Sequence, residues 1–180
     1  MMTVVTGGSG SGKSAFAEDK ILSYGARKRI YIATMHPYDE ESLQRVARHR
    51  KMRAGKGFET VECYTGLNDL DFSENTAVLL ECMSNLAANE MFEENGAGEK
   101  TVEAVLKGIE KLKNQVRHLV IVTNEIFSEA AFYEGDTVRY QEYLGIINQS
   151  MGKMADEVVE VVYGIPVWLK GGKSVENAVE

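Results

Sequence analysis

Residues Gly7-Gly8-Ser9-Gly10-Ser11-Gly12-Lys13-Ser14 fit the pattern G-x-x-x-x-G-K-S/T. They stand between an apolar run, Met2 to Thr6, and an amphipathic one, Lys13 to Tyr24. This pattern constrains the fold more than any other in the chain, because it requires a strand, a tight loop and a helix in that order. Glycines permit positive φ, so successive backbone N–H groups can turn inward around phosphate oxygens. The helix that follows presents its N-terminal dipole to the same anion. Lys13 reaches the β- and γ-phosphates as a point charge, and Ser14 offers a hydroxyl to a Mg²⁺ ion that bridges them. A glycine-rich turn with no ligand would not need the whole pattern in this setting. The loop names a nucleotide ligand, but neither its base nor the reaction.

Short apolar runs then alternate with longer amphipathic ones. Arg29 to Ala33, Thr60 to Cys63, Thr76 to Leu80 and Arg117 to Thr123 read as strands. Asp39 to Arg53, Ser84 to Phe92, Lys100 to Asn114 and Thr137 to Met154 read as helices. Glu157 to Tyr163 and Ile165 to Leu169, split by Gly164, predict a terminal hairpin. Alternation of this kind predicts an α/β fold, a mostly parallel sheet flanked by helices. Residues 1–170 are expected to form one nucleotide-binding domain, with 171–180 as a flexible tail.

A carboxylate should stand at the end of a second strand, facing the same crevice as the loop. Glu81, after Thr76-Ala-Val-Leu-Leu80, and Glu125, after Leu119-Val-Ile-Val-Thr-Asn124, both qualify, and Glu81 is preferred as a metal or nucleotide ligand. Composition narrows the remaining classes. The chain has 180 residues, with 27 acidic against 20 Lys+Arg, a net charge of -7 and 44% hydrophobic residues. That excludes a disordered chain and a general polyanion binder, and no aromatic-basic interleaving points to nucleic acid. Cys63 and Cys82 lie in or beside apolar runs and are expected to be buried free thiols. No apolar run approaches the ~18 residues of a membrane span, and the start lacks a signal peptide's pattern. The expected compartment is the cytoplasm.

The acidic average hides one basic stretch, Arg45-Val-Ala-Arg48-His49-Arg50-Lys51-Met52-Arg53. On a helix, residues four apart share a face, so Arg45, His49 and Arg53 stack. Neighbouring cations disfavour a protonated imidazole and leave it available as a nucleophile or base. The arginines suit bidentate phosphate contacts. A solvated basic face that happens to hold a histidine is the plain alternative. His118 reads as structural, and nothing near His36 recommends it.

Taken in order, these residues resemble the bifunctional adenosylcobinamide kinase / adenosylcobinamide-phosphate guanylyltransferase family of cobalamin biosynthesis. The resemblance runs from Thr3 to about Lys170. It is carried by Thr6-Gly-Gly-Ser-Gly-Ser-Gly-Lys-Ser14, Tyr31-Ile-Ala-Thr34, Arg45-Val-x-x-His49-x-x-x-Arg53 and Phe58-x-Thr60-x-Glu62. Leu79-Leu80-Glu81-Cys82, Asn85, Val120-Ile-Val-Thr-Asn-Glu125, Gly145-Ile-Ile-Asn-Gln149, Ala155-Asp-Glu-Val158 and Gly164-Ile-Pro166 follow. It implies a RecA-like P-loop fold. It also implies two reactions: phosphorylation of the aminopropanol hydroxyl of adenosylcobinamide, then GMP transfer from GTP through a guanylylated histidine. By resemblance His49 would carry the GMP. Gly7, Gly8, Ser9, Gly10, Ser11, Gly12, Lys13 and Ser14 would bind phosphates. Ala33, Thr34, Met35, Arg50, Lys51, Met52, Arg53, Glu62 and Glu81 would surround the nucleotide. Ser14 and Glu81 would hold Mg²⁺. The implied ligands are GTP, with ATP as a further phosphate donor, together with adenosylcobinamide and its phosphate. The implied assembly is a homotrimer.

The chain departs from the family after Glu125. A glycine-rich segment is replaced by Ile126-Phe-Ser-Glu-Ala-Ala-Phe132, and an Arg-Asp pair by Gln141-Glu142. A divergent P-loop phosphotransferase or GTPase with a non-corrinoid substrate is the alternative reading.

Overall fold

All six residues of strand β4, Thr76–Glu81, are buried. A parallel strand reads as an unbroken apolar run when helices cover both faces of its sheet. The computed structural model describes residues 1–26, 28–126 and 134–172. Within it β4 lies inside a seven-stranded sheet together with β1 (Met2–Thr6), β2 (Lys28–Ala33), β3 (Phe58–Glu62), β5 (His118–Val122), β6 (Glu157–Val162) and β7 (Ile165–Lys170), in the order β3-β2-β4-β5-β1-β6-β7. Every pairing is parallel except β6 with β7, which form the expected antiparallel hairpin. The strand β5 separates β1 from β4, so the loop after β1 and the carboxylate ending β4 face each other across one strand end.

Alternate side chains of the strands feed two cores. On one face Met2, Val4, Ile30, Ile32, Val78, Leu80, Leu119 and Ile121 pack in one cluster with residues of α3 (Met83–Phe92), α4 (Thr101–Gln115) and α5 (Asp136–Met154). On the other, Val5, Tyr31, Leu79, Val120 and Val122 meet Ala17 and Ile21 of α1 (Lys13–Ser23). Leu80 is fully buried in the larger core. Leu80→Ala is expected to lower the unfolding free energy by about 3 kcal/mol, from lost transfer energy plus the cavity left behind. Urea unfolding would show this as a lower midpoint with an unchanged slope.

The remaining helix, α2 (Glu40–Arg53), is held differently. Arg53 is its only buried residue. Its start is closed by a reciprocal cap, with the Ser42 amide donating to Asp39 Oδ1 at 2.7 Å and the Asp39 amide donating to Ser42 Oγ at 3.0 Å. This polar helix lies over the carboxyl ends of the strands rather than on a sheet face. Most predicted elements have the expected bounds to within two residues. Both cysteines are buried free thiols as expected, and burial pushes the Cys63 thiol up to about 11. Among the described residues no helix is long and apolar enough to cross a membrane. Residues 173–180 of the expected 171–180 tail, and all of the changed segment 126–132 except Ile126, lie outside the described residues.

Candidate functional site

The loop after β1 closes tightly because glycine occupies two crowded positions. Gly7 has φ 150°, and a Cβ there would stand 2.6 Å from the Val161 carbonyl oxygen. Gly12 has φ 93° and caps α1, with Gly164 Cα 3.3 Å from where a Cβ would be. Only glycine combines that backbone with that clearance. The Ser11 amide donates to Gly8 O at 3.3 Å, and the Gly164 amide donates to Ser11 O at 2.8 Å. The loop is therefore buttressed by the hairpin turn. The Glu125 amide donates to Gly7 O at 3.2 Å and ties in the end of β5.

Lys13 folds back over this loop. Its ammonium donates to Gly8 O at 2.9 Å and the residue is 8% exposed. Burial holds the amine below the ordinary lysine value, while the Glu81 carboxylate acts in the opposite direction. Glu81 is itself 8% exposed and is the junction of the site. Ser14 Oγ donates to its Oε1. Tyr31 Oη donates to its Oε2 at 3.0 Å. His49 Nδ1 lies 3.7 Å from the same Oε2. Burial and the adjacent carboxylate push the Tyr31 phenol well above its usual value, so it stays a donor.

These groups share a cavity of about 710 Å³, within the size range of small-molecule sites. Ser9 to Ser14 form one wall. Arg45, Arg48, His49, Arg50, Met52 and Arg53 of α2 form the opposite one. Ala33, Met35, Glu62, Tyr64, Asn85, Asn124 and Glu125 complete it. Arg45, His49 and Arg53, expected on one face, all line the cavity, and so do Arg48, Arg50 and Met52. Arg53 is anchored by its guanidinium lying 3.3 Å from the Tyr31 ring centroid. Four buried polar atoms on these walls lack partners among the described residues: Ser11 Oγ, His49 Nδ1, Arg53 Nη1 and Asn85 Nδ2. Buried polar groups are nearly always paired, so these four are open to a polar ligand in the cavity.

Four predicted positions, Gly7, Gly8, Thr34 and Lys51, do not line this cavity. Thr34 is fully buried and clamps two strand ends instead, with Oγ1 donating to Cys82 O at 2.9 Å and accepting from the Cys82 amide at 2.7 Å. Lys51 points away from the cavity on the exposed side of α2. Gly7 and Gly8 shape the loop from behind rather than lining the cavity. Glu62 accepts from Tyr64 Oη at 3.0 Å and faces Arg50 Nη2 at 3.4 Å. Tyr31 is a site residue that the apolar periodicity of β2 does not mark. Its signal was an aromatic with a polar tip in an otherwise aliphatic buried strand. His36 lies outside this cavity and stacks on Tyr64 at 3.5 Å and on Tyr38 at 4.7 Å, with Nε2 3.0 Å from Glu93 Oε1. His118 stacks on Tyr24 at 3.9 Å, well outside the cavity, as a structural histidine would.

A parallel sheet with this loop after its β1 strand, a lysine and hydroxyl at the helix start and a carboxylate across the inserted β5 define a RecA-like P-loop nucleotide-binding protein. Among solved structures, the chain is similar to an ATPase from the type III secretion system of pathogenic bacteria, with TM-score 0.53 and 8% identity over 88% of this chain and 50% of that one. That likeness concerns the fold alone. The family described as cobinamide kinase / cobinamide phosphate guanyltransferase matches residues 3–169. The chain is 32% identical to the bifunctional adenosylcobalamin biosynthesis protein CobU of Escherichia coli over 94% of its own length and 100% of that protein's. It is 30% identical to the protein of that name from Salmonella typhimurium, over 94% and 100%. The chain belongs to the cobinamide kinase / cobinamide phosphate guanyltransferase family, a family of enzymes.

Proposed function

We propose that the chain phosphorylates the aminopropanol hydroxyl of adenosylcobinamide and then transfers GMP from GTP onto that phosphate through a guanylylated His49. The carrying observation is the convergence of the phosphate loop, through Ser14, and the α2 nucleophile candidate on one carboxylate, Glu81, inside one cavity. An imidazole within reach of a bound triphosphate suits covalent transfer, in which one difficult displacement becomes two easier ones. Lys13, Arg50 and Arg53 supply positive charge for the α-phosphate and the departing pyrophosphate. Ala33, Met35 and Met52 offer apolar contact to a base, and Glu62 offers a carboxylate to guanine's ring and exocyclic N–H donors. The donor set also fits Mg²⁺: Ser14 and Glu81 present hard oxygens beside the phosphate position. When bound, the ion would neutralise charge on the phosphates. Assembly as a homotrimer belongs to the same reading, and the exposed Ile165, Val167, Trp168 and Leu169 of β7 are a surface that self-association would cover.

The test is a chase. After incubation with α-labelled GTP and Mg²⁺, the protein is expected to carry an acid-labile, alkali-stable label that adenosylcobinamide phosphate removes and converts to labelled corrinoid. Label that stays on the protein in the presence of the corrinoid phosphate would reject this acceptor. Release of γ-phosphate without any protein label would favour a GTPase or another phosphotransferase.

A further inference from the structure

The two nitrogens of His49 are not equivalent. Nδ1 is sealed from solvent and has no hydrogen-bond partner, whereas the side chain as a whole is 25% exposed and lines the cavity. Nε2, on the opposite edge of the ring, is not among the sealed and unpartnered atoms and is the nitrogen left for a ligand in the cavity. Facing Nδ1 at 3.7 Å is Glu81 Oε2. That carboxylate is oriented by Tyr31 Oη, which donates to Oε2 at 3.0 Å, and by Ser14 Oγ, which donates to Oε1. His49 is fixed from its own side too, one helical turn before Arg53, whose guanidinium is stacked 3.3 Å above the Tyr31 ring. Tyr31 thus serves both partners: its ring anchors the helix bearing His49, and its hydroxyl orients the carboxylate that His49 faces.

A neutral imidazole has one N–H and one lone pair. A carboxylate repels the lone pair and attracts the N–H, so the tautomer with its proton on Nδ1 is favoured opposite Glu81. From this, and resting on the reading of His49 as the nucleophile, we propose that GMP is attached through Nε2, and that Glu81 is the positioning residue that selects that nitrogen. The Nε2 lone pair attacks the α-phosphorus of GTP. The N–P bond forms as the bond to the bridging oxygen breaks, and that electron pair leaves with pyrophosphate. The ring is now cationic, with its proton still on Nδ1 toward Glu81, whose charge offsets it. In the second step a phosphate oxygen of the acceptor attacks the same phosphorus, and the N–P electron pair returns to Nε2. No proton has to leave the ring in either step. A carboxylate in this relation to a histidine acts by holding tautomer and orientation. Because the same carboxylate accepts from Ser14 of the phosphate loop, the nucleophile's aim is set by the element that seats the triphosphate.

The nitrogen is read directly by phosphorus–proton correlation on the guanylylated wild-type protein. Attachment at Nε2 couples the phosphorus to both carbon-bound ring protons of His49; attachment at Nδ1 couples it to one. Correlations to both protons are expected, and correlation to one alone would overturn the proposal while leaving the covalent histidine intact. No phosphorus on His49 at all would overturn the histidine reading and this inference with it. A second measurement addresses Glu81. In Glu81→Gln, label should form at least about tenfold more slowly at saturating GTP, still on Nε2 because the amide oxygen can accept from Nδ1–H. An unchanged rate at saturation would remove Glu81 from this role.

Discussion

Alanine at position 49 is expected to abolish labelling of the protein by α-labelled GTP and, with it, formation of the guanylylated corrinoid. The expected loss exceeds about a thousandfold, the scale on which removing a covalent nucleophile acts. The fold should hardly respond. The His49 ring makes no hydrogen bond among the described residues, and α2 keeps its Asp39–Ser42 cap and its Arg53 anchor. Alanine also has the highest helix propensity. Thermal unfolding should therefore shift little, and GTP should still bind, because the loop and Lys13 are untouched. Transfer of the γ-phosphate to adenosylcobinamide is expected to persist, since that reaction needs no histidine. The variant would separate two activities that share one cavity. Label persisting in the variant would refute the covalent role of His49.

Lys13→Ala is expected to weaken GTP binding by about ten- to a hundredfold. The basis is loss of a charge-assisted contact of about 1.5–3 kcal/mol, with each 1.4 kcal/mol worth a factor of ten. Titration calorimetry or a fluorescent nucleotide analogue would measure it. Stability is expected to move the other way, if at all. Burial holds the amine's folded value below its unfolded one. An amine with a depressed folded value opposes folding while it is charged in both states, so the penalty is full below the folded value, fades as pH rises from the folded to the unfolded value, and is absent above it. Removing the ammonium removes that penalty. A variant with weaker nucleotide affinity and an equal or higher unfolding temperature would show that Lys13 is kept for the ligand and not for the fold. Unchanged GTP affinity would contradict the assigned phosphate contact.

Much of this architecture was legible because local signals agreed with one another. Continuous apolar runs such as Thr76 to Leu80 and Leu119 to Val122 admit only buried parallel strands between helices. The loop between β1 and α1 then fixes which sheet edge carries the ligand. His49 stood out because basic residues at helical spacing make one face of α2. The network behind it was less legible. Glu81 and Glu125 both qualified as strand-end acids with Glu81 preferred, but only the sheet order and the orientation of α2 show that Glu81 meets Ser14, Tyr31 and His49 together. Tyr31 is a core residue by periodicity and a site residue by its hydroxyl, which a pattern of apolar positions does not distinguish. Thr34 carried the resemblance but spends its hydroxyl on Cys82. Spacing reports which face a residue occupies, not which neighbour has already claimed its polar atom.

The turn of the C-terminal hairpin donates from Gly164 to Ser11, and Val161 closes over Gly7. The nucleotide loop leaves the ribosome well before β6 and β7, yet its shape requires the turn between those two strands. A nascent chain that has released β1 and α1 holds all the residues of the loop but lacks its buttress. Competence to seat a nucleotide thus arises only when β6 adds beside β1 and the hairpin turn reaches the loop. By the same dependence, a chain cut short before the hairpin would retain the complete glycine-rich motif without the contacts that shape it.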